Sequence, residues 1–393
     1  MRRFDYKWHN ILYDCNRKFS EPLMIPINKP QIDENERQEI LKVLDEGILT
    51  SASNCGGKRV QDFEVLLADF LHVKHAIAVN SGTAALNASI LAAGIKETDE
   101  ILIPSFTFVA TANSVSCTGA KPVFVDIEKD TYTMNPVDLE KKITKRTRAI
   151  IPVHLYGHPA KMDEILEIAR KHSLVVIEDA CQSLGSVYNG KQTGTLGQMG
   201  CFSMYASKVL TSGEGGAITT NSDEYAEILK MIRNHGMVHG YDTRIIGFNM
   251  RLPEISAAIA KTQMKKIRSM LEKRTVNAKK LGELLNERID RKYLILPQDD
   301  ERVKYNWYLY TVALINNRDR VKKFLNDNGI GATVYYDPPV HETPYYSKFH
   351  NGALEVTEWA SKSVLSLPVH PSITENDIDL IASKVVEAIK SYL

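Results

Sequence analysis

The feature that most limits the possible folds is an alternation of short apolar runs with longer helical runs between residues 75 and 220. Ala76–Val79 and Leu174–Glu178 are short and almost wholly apolar, which is typical of strands buried on both faces of a sheet. Ala84–Ala93 and Lys161–Lys171 have the length and spacing of helices. The alternation predicts an α/β fold with a mostly parallel sheet that is covered on both faces.

Further elements fit the same pattern. Thr107–Cys117 is a predicted helix with Thr107 as its N-cap. The other predicted strands are Ile101–Pro104, Pro122–Asp126 and Ala149–His154.

The pattern changes after residue 250. A long Lys- and Glu-rich helix is predicted over Pro253–Ile289, and the remainder contains a strand candidate, Tyr308–Ile315, and two amphipathic helices, Asp319–Asp327 and Glu375–Tyr392. We therefore predict a smaller α+β domain at the C-terminus. The predicted parts are an extension over residues 1–23, a large domain over 24–255 and the small domain over 256–393.

Charge and cysteine content narrow the class of protein. The 393 residues contain 49 Lys and Arg against 48 Asp and Glu, which gives no electrostatic reason to expect nucleic acid or an anionic membrane as a partner. No run reaches the length of a membrane span, and no secretory signal is visible. Five cysteines without C-x-x-C spacing indicate reduced thiols. We expect a cytoplasmic protein with no metal.

Three segments carry chemistry, in a fixed order along the predicted sheet. In Asn80–Leu86 a strand ends and a small-residue turn opens a helix, which is either an anion site or a plain N-cap. In Glu178–Gln182 two acids end an apolar strand, either as part of a site or as loop acids. In Cys201–Gly216 a lysine, Lys208, precedes a glycine-rich turn that matches neither the P-loop nor the Rossmann pattern.

An anion cradle, a strand-end acid and a lysine are the parts that a pyridoxal 5'-phosphate (PLP) site needs. A lysine amine can hold the aldehyde of the cofactor, an acid can keep the pyridine nitrogen protonated, and N–H and hydroxyl groups can hold the phosphate. The three segments together therefore indicate PLP chemistry.

Longer motifs give the chain a family resemblance over roughly residues 24–393. It resembles the DegT/DnrJ/EryC1/StrS family of PLP-dependent sugar aminotransferases, which have PLP fold type I. The resemblance implies a large aspartate aminotransferase-like domain with a mostly parallel seven-stranded sheet. Besides the three segments above, the matching motifs are Pro104–Asn113, Gly119–Asp126, Arg233–Gly236, Gly247–Ile255, Tyr336–His341 and Leu365–Pro371.

The resemblance also implies residue roles at the matching positions. Lys208 would bind the cofactor covalently, and Asp179 would pair with the pyridine nitrogen. Gln182 would lie near the ring hydroxyl or the ring face, and Phe108 would stack on the ring.

The resemblance implies a phosphate site as well. Gly82, Thr83 and Ser203 would hold the phosphate, and Asn249 would reach it from the neighbouring subunit of a homodimer with shared active sites.

The expected reaction is transfer of an amino group from an amino acid, with L-glutamate as the expected donor, to a nucleotide-linked keto sugar. A 4-keto-6-deoxy sugar is favoured by its frequency in the family, and the cofactor would pass through its pyridoxamine form. The alternatives are a 3-keto sugar or an inosose as acceptor, a sugar dehydratase, a non-catalytic PLP-binding regulator and a glycine-rich nucleotide-binding module. Dehydratases of the family carry histidine in place of the lysine, so Lys208 disfavours that reading.

Other polar residues admit two interpretations. Arg251 would bind a substrate carboxylate or phosphate, or pair with Glu254 on the same helix. His341, which follows Pro338 and Pro339, would contact the sugar nucleotide. His154 and His158 are more simply explained by loop packing than by catalysis.

Overall fold

The structure is a computed structural model that describes residues 24–298, 300–350 and 352–392. The extension predicted over residues 1–23 lies outside the described residues. The strands, numbered along the chain, are β1 His75–Val79, β2 Glu100–Pro104, β3 Lys121–Val125, β4 Thr147–Ile150, β5 Val175–Asp179, β6 Val187–Tyr188, β7 Lys191–Gln192, β8 Met199–Ser203, β9 Gly216–Thr220, β10 Leu294–Ile295, β11 Val303–Lys304, β12 Tyr310–Leu314 and β13 Val364–Leu367.

Eleven α-helices lie in the described part of the chain. They are α1 Glu34–Glu46, α2 Lys58–Leu71, α3 Gly82–Ala92, α4 Val109–Cys117, α5 Pro136–Lys141, α6 Met162–His172, α7 Asp223–Arg233, α8 Glu254–Arg288, α9 Arg318–Asp327, α10 Glu355–Ser363 and α11 Glu375–Ser391. None of the described helices is both long enough and apolar enough to cross a membrane.

The predicted sheet is present and has seven strands, in the order β1-β9-β8-β5-β4-β2-β3. β9 is antiparallel to both of its neighbours, and the other pairs are parallel. Six strands therefore end at the same edge of the sheet. In such sheets ligands bind beyond the carboxyl ends of the strands, and seven of the predicted site residues lie at this edge.

The helix predicted to start at Thr107 starts two residues later, and the prediction of Thr107 as its cap was wrong. Phe108 is the N-cap of α4, without a side-chain cap. The Thr107 hydroxyl instead lies 3.0 Å from the hydroxyl of Thr111, one turn into the helix. A side-chain contact inside the turn has replaced the backbone cap that the sequence suggested.

The 35-residue helix α8 connects two hydrophobic cores. Its residues 257–270 pack with the large-domain core, whereas residues 278–285 pack with a second core formed by β10, β12, β13, α9 and α11. Ile25, near the start of the described chain, also belongs to the second core and bridges to Ile330. Both cores therefore share this helix, and the boundary at residues 255/256 stays a prediction.

Candidate active site

A cavity of about 590 Å³ opens at the carboxyl edge of the large sheet. Segments that follow β1, β2 and β4 line it together with the last residues of β5 and β8, and the loop between β8 and β9. Seven of the residues predicted for the cofactor line this one cavity: Gly82, Thr83, Phe108, Asp179, Gln182, Ser203 and Lys208.

The start of α3 forms one end of the cavity. Ser81 caps the helix by accepting the N–H of Ala84 (3.0 Å), and the first N–H groups of a helix have no partner inside the helix. A side chain at Gly82 would lie 2.8 Å from both Cys181 Sγ and Ser203 Cβ, so only glycine fits there. This helix start suits a phosphate group, with the hydroxyls of Thr83 and Ser203 beside it.

Asp179, the last residue of β5, is 5% exposed. Its Oδ2 accepts a hydrogen bond from the Thr111 hydroxyl (2.8 Å), and its Oδ1 accepts the N–H of Cys181 (3.2 Å). Because Thr111 also contacts Thr107, the carboxylate is held by two linked hydroxyls, one in the first turn of α4 and one just before the helix. A carboxylate fixed in this way can face a protonated ring nitrogen, as PLP requires.

Glu178, the neighbouring acid, lies on the other side of the strand and is completely buried. Its two oxygens accept the N–H groups of Gly194 (2.7 Å), Leu196 (2.6 Å) and Gly197 (2.7 Å). His154 Nε2 lies 2.9 Å from it, and His154 Nδ1 accepts the N–H of Ala160, so Nε2 carries the hydrogen and donates. Of the two strand-end acids, only Asp179 belongs to the cavity.

Lys208 lies in the loop between β8 and β9. These two strands pair with each other, and Ser203 lies opposite Gly216. Its Nζ lies 4.6 Å from the centroid of the Tyr308 ring. Gly213 has a φ of +82°, and a side chain at Gly216 would lie 2.4 Å from Ser81 backbone atoms. The glycine cluster therefore serves a sharp turn and a close approach to the start of α3.

Aromatic side chains from the small domain close the cavity, and the sequence interpretation did not include them. Tyr308, Tyr335 and Tyr336 all line it. The Tyr336 hydroxyl accepts a hydrogen bond from Gln182 Nε2 (3.0 Å), while Gln182 Oε1 accepts the N–H of Tyr156 (2.8 Å). Burial raises the pKa of Tyr335 to about 12 and that of Tyr336 well above its usual value, so both are neutral hydroxyls near pH 7.

Phe108 is half exposed at the mouth of the cavity, and its ring centroid lies 6.0 Å from that of Tyr336. Cys181 lies beside the helix start, where burial raises the pKa of its thiol well above the usual value. Cys181 is therefore a neutral packing group. The four cysteines in the described residues are all free, and Cys15 lies outside them.

Asn249, Arg251 and His341 are not among the residues that line the cavity of this chain. Asn249 is exposed, beside the exposed side chain of Phe248. Arg251 donates to Asn234 Oδ1 (2.8 Å) rather than to Glu254. Glu254 instead accepts the N–H groups of Arg59 and Val60, so the predicted helix pair does not form in the described chain.

His341 is buried, with Nδ1 2.6 Å from the hydroxyl of Ser105. His341, His350 and Glu358 bring one ligand atom each within 4.8 Å of one another, which is a possible metal-binding group that the sequence interpretation did not include. These three residues are not among those that line the cavity. Any ion held there would lie outside the proposed cofactor site.

Comparison with known proteins adds the following. The family model for the DegT/DnrJ/EryC1/StrS aminotransferase family matches residues 30–386. GDP-perosamine synthase from Caulobacter vibrioides is 39% identical over 367 residues, which cover 91% of this chain and 96% of that protein. UDP-N-acetyl-3-dehydro-alpha-D-glucosamine 3-aminotransferase from Acidithiobacillus ferrooxidans is 36% identical over 350 residues, covering 89% and 93%.

A solved structure shares the fold over almost its entire length. The crystal structure of DesV from S. venezuelae, in complex with a ketimine intermediate, matches with a TM-score of 0.86 and 34% identity. The match covers 93% of this chain and 99% of DesV. The match therefore includes segments from both hydrophobic cores.

Proposed function

The chain belongs to the DegT/DnrJ/EryC1/StrS aminotransferase family and is a PLP-dependent aminotransferase, and from this premise we propose that it aminates a nucleotide-linked keto sugar with an amino acid as donor. The observation that carries the proposal is that Lys208, Asp179 and the start of α3 line one cavity. We further propose L-glutamate as the donor and a 4-keto-6-deoxy sugar as the acceptor.

The residues of the cavity fit PLP. Bound PLP supplies an aldehyde that reacts with amines and a ring that takes up the electron pair of a broken Cα–H bond. Gly82, Thr83 and Ser203 would hold its phosphate. Asp179, held by Thr111, would keep the ring nitrogen protonated, and Phe108 would cover the ring.

Lys208 has two proposed tasks. Its amine would hold the cofactor between turnovers. During turnover the released amine would take the proton from Cα of the donor and deliver it to the cofactor. The pair of hydrogen bonds from Tyr156 N–H and to Tyr336 hydroxyl fixes Gln182 beside this reaction space. The rings of Tyr308, Tyr335 and Tyr336 form one wall of this space.

We propose a homodimer in which each cavity is completed by the partner subunit. Asn249 is exposed and next to the exposed Phe248, so it is free to meet another chain. The partner's Asn249 would reach the cofactor phosphate. Arg251 and His341 remain proposed substrate contacts, although neither lines the cavity of its own chain.

The names of two relatives bear on the acceptor position. The relative from A. ferrooxidans, at 36% identity, is a 3-aminotransferase by name, whereas the name of the relative from C. vibrioides, a perosamine synthase at 39% identity, gives no position. The 4-keto sugar therefore stays the proposed acceptor on its frequency in the family, with a 3-keto sugar as the second candidate.

Absorbance spectroscopy and product analysis test the proposal. Addition of L-glutamate to the PLP-loaded protein should remove its visible absorbance band, and a nucleotide-linked 4-keto-6-deoxy sugar should restore it and yield a 4-amino sugar detectable by NMR. Lys208→Ala should retain less than a few per cent of the transamination rate, whereas Lys191→Ala, at an exposed lysine on β7, should match the wild type. Substantial turnover by Lys208→Ala would refute the proposed role of Lys208. Amination of 3-keto sugars alone would refute the proposed 4-keto acceptor.

A further inference from the structure

Arg274, in the middle of α8, is a buried cation without a carboxylate partner in the described chain. It is 2% exposed, and its hydrogen bonds go to uncharged oxygens: Nη1 donates to the carbonyls of Trp307 (3.1 Å) and Tyr308 (3.2 Å), and Nη2 donates to Asn28 Oδ1 (2.7 Å). Burial lowers the pKa of its guanidinium to about 10. Since burying a charge without a counter-charge is costly, this position needs a physical reason.

The partners of Arg274 form a closed circuit around the loop that carries Lys208. Asn28 Nδ2 donates to the carbonyl oxygen of Ser207 (2.5 Å), and Ser207 Oγ lies 3.3 Å from the Tyr308 hydroxyl. The backbone of Tyr308 then returns to Arg274. The four members come from four separate segments, so the circuit fixes the distance between the Lys208 loop and the Tyr308 ring.

That ring is the surface on which the Lys208 amine rests. Lys208 Nζ lies 4.6 Å from the ring centroid, and Tyr308 is 6% exposed at the cavity wall. An ammonium group is attracted to the face of an aromatic ring at this distance.

We propose that Tyr308 is a positioning residue that receives the Lys208 amine whenever it is not bonded to the cofactor, and that Arg274 and Asn28 set the position of the ring. The inference rests on the proposed role of Lys208. An amine that moves a proton between two fixed carbon atoms has to stay close to both while it is free. The ring face restricts a flexible side chain that would otherwise turn into the cavity.

The attraction has a chemical consequence with a definite sign. The ring face covers one side of the Lys208 amine and holds it against the cavity wall. Replacement of the ring by an aliphatic side chain removes this contact and leaves the amine free to move into the cavity. The amine then reacts faster with an acylating reagent, although it is less well placed for catalysis.

The experiment measures acetylation of Lys208 by acetic anhydride in the cofactor-free protein, followed by mass spectrometry of the Lys208 peptide. Tyr308→Leu should be acetylated about two- to fivefold faster than the wild type at pH 7. Tyr308→Phe keeps the ring but loses the hydroxyl contact with Ser207, so it should be acetylated at most about twofold faster than the wild type. Tyr345→Leu is the control, because Tyr345 is an exposed tyrosine outside the cavity.

Comparison of the two Tyr308 variants separates loss of the ring from loss of the hydroxyl group. Equal acetylation rates for Tyr308→Leu and the wild type, or acceleration in Tyr308→Phe as large as in Tyr308→Leu, would overturn the proposal.

A second variant covers the possibility that Tyr308→Leu does not fold. Asn28→Ala removes the connection between Arg274 and Ser207, and should accelerate acetylation about twofold at pH 7, since it loosens the contact without removing the ring. In the double variant it should add nothing to Tyr308→Leu, because both changes act on one contact. Full additivity would refute the circuit. The acetylation experiments use cofactor-free protein, so their outcome does not depend on which lysine binds the cofactor. A wrong assignment of that lysine would appear only in the Lys208→Ala assay of transamination.

Discussion

The adjacent acids Glu178 and Asp179 at the end of β5 should respond in opposite ways to replacement by the corresponding amide. The change at Glu178 should lower stability, and the change at Asp179 should lower activity. Glu178→Gln keeps the shape of the side chain and removes its charge. The remaining amide oxygen can accept two of the three backbone N–H groups, those of Leu196 and Gly197, which now share Oε1. The new NH₂ group then faces two donors, Gly194 N–H and His154 Nε2–H, which were bonded to Oε2.

The expected cost follows from this count of donors. A buried donor without an acceptor costs about 1–3 kcal/mol, so two of them lower the free energy of unfolding by about 2–6 kcal/mol. Domains of ordinary stability have about 5–15 kcal/mol in total, so the loss is large but leaves a measurable folded population. Asp179→Asn should change stability far less, because the amide oxygen can still accept the N–H of Cys181 and the Thr111 hydroxyl can rotate to accept from the new NH₂ group, while it should lose most of the transamination rate.

Chemical denaturation followed by circular dichroism measures the difference. Glu167→Gln is the matched control, since Glu167 is exposed on α6 and should stay within about 0.5 kcal/mol of the wild type. A loss below about 1 kcal/mol for Glu178→Gln would contradict the count of unpaired donors. Retained stability with lost activity would instead place Glu178 in the catalytic machinery.

Two other predictions concern the phosphate site and pH. Gly82→Ala should weaken PLP binding about five- to 150-fold in a fluorescence titration, since its methyl group meets Cys181 and Ser203 at 2.8 Å and overpacking costs about 1–3 kcal/mol; unchanged affinity would contradict the proposed cradle. His158 and His370 are buried, and burial lowers the pKa of each to about 4. Their unfolded forms take up protons near pH 6.5, so the free energy of unfolding should fall between about pH 6.5 and 4, by up to about 3 kcal/mol per histidine; denaturation of His158→Gln should show a shallower fall, and an identical slope would exclude His158.

The sequence predicted the large sheet well because its strands are buried on both faces. Leu174–Glu178 differs from β5 by one residue at each end, and Ala76–Val79 differs from β1 by one residue at its start, since continuous apolar runs leave few alternative placements. The hairpin of β6 and β7 was missed because its strands have two residues each. Its turn, Asn189-Gly190, has positive φ at both positions and was a usable signal.

The opposite positions of Glu178 and Asp179 could have been predicted from strand geometry. Successive side chains of a strand point to opposite faces, so two adjacent acids cannot both face one cavity. The identity of the inward acid follows from the resemblance alone, because both residues are carboxylates. Their roles are separated only by their partners: three loop N–H groups hold Glu178, and the Thr111 hydroxyl holds Asp179.

The circuit around Lys208 shows why the rest of the site was invisible in the sequence. Asn28 and Ser207 are 179 residues apart, and Arg274 and Asn28 are 246 apart, so no local spacing relates them. Each member has a simpler local interpretation, as a turn residue, a loop hydroxyl, a helix-face cation or a strand aromatic. Only the fold brings these segments to the same edge of the sheet, and there the uncompensated charge of Arg274 is explained by what it holds in place: the loop and the ring on either side of the reactive amine.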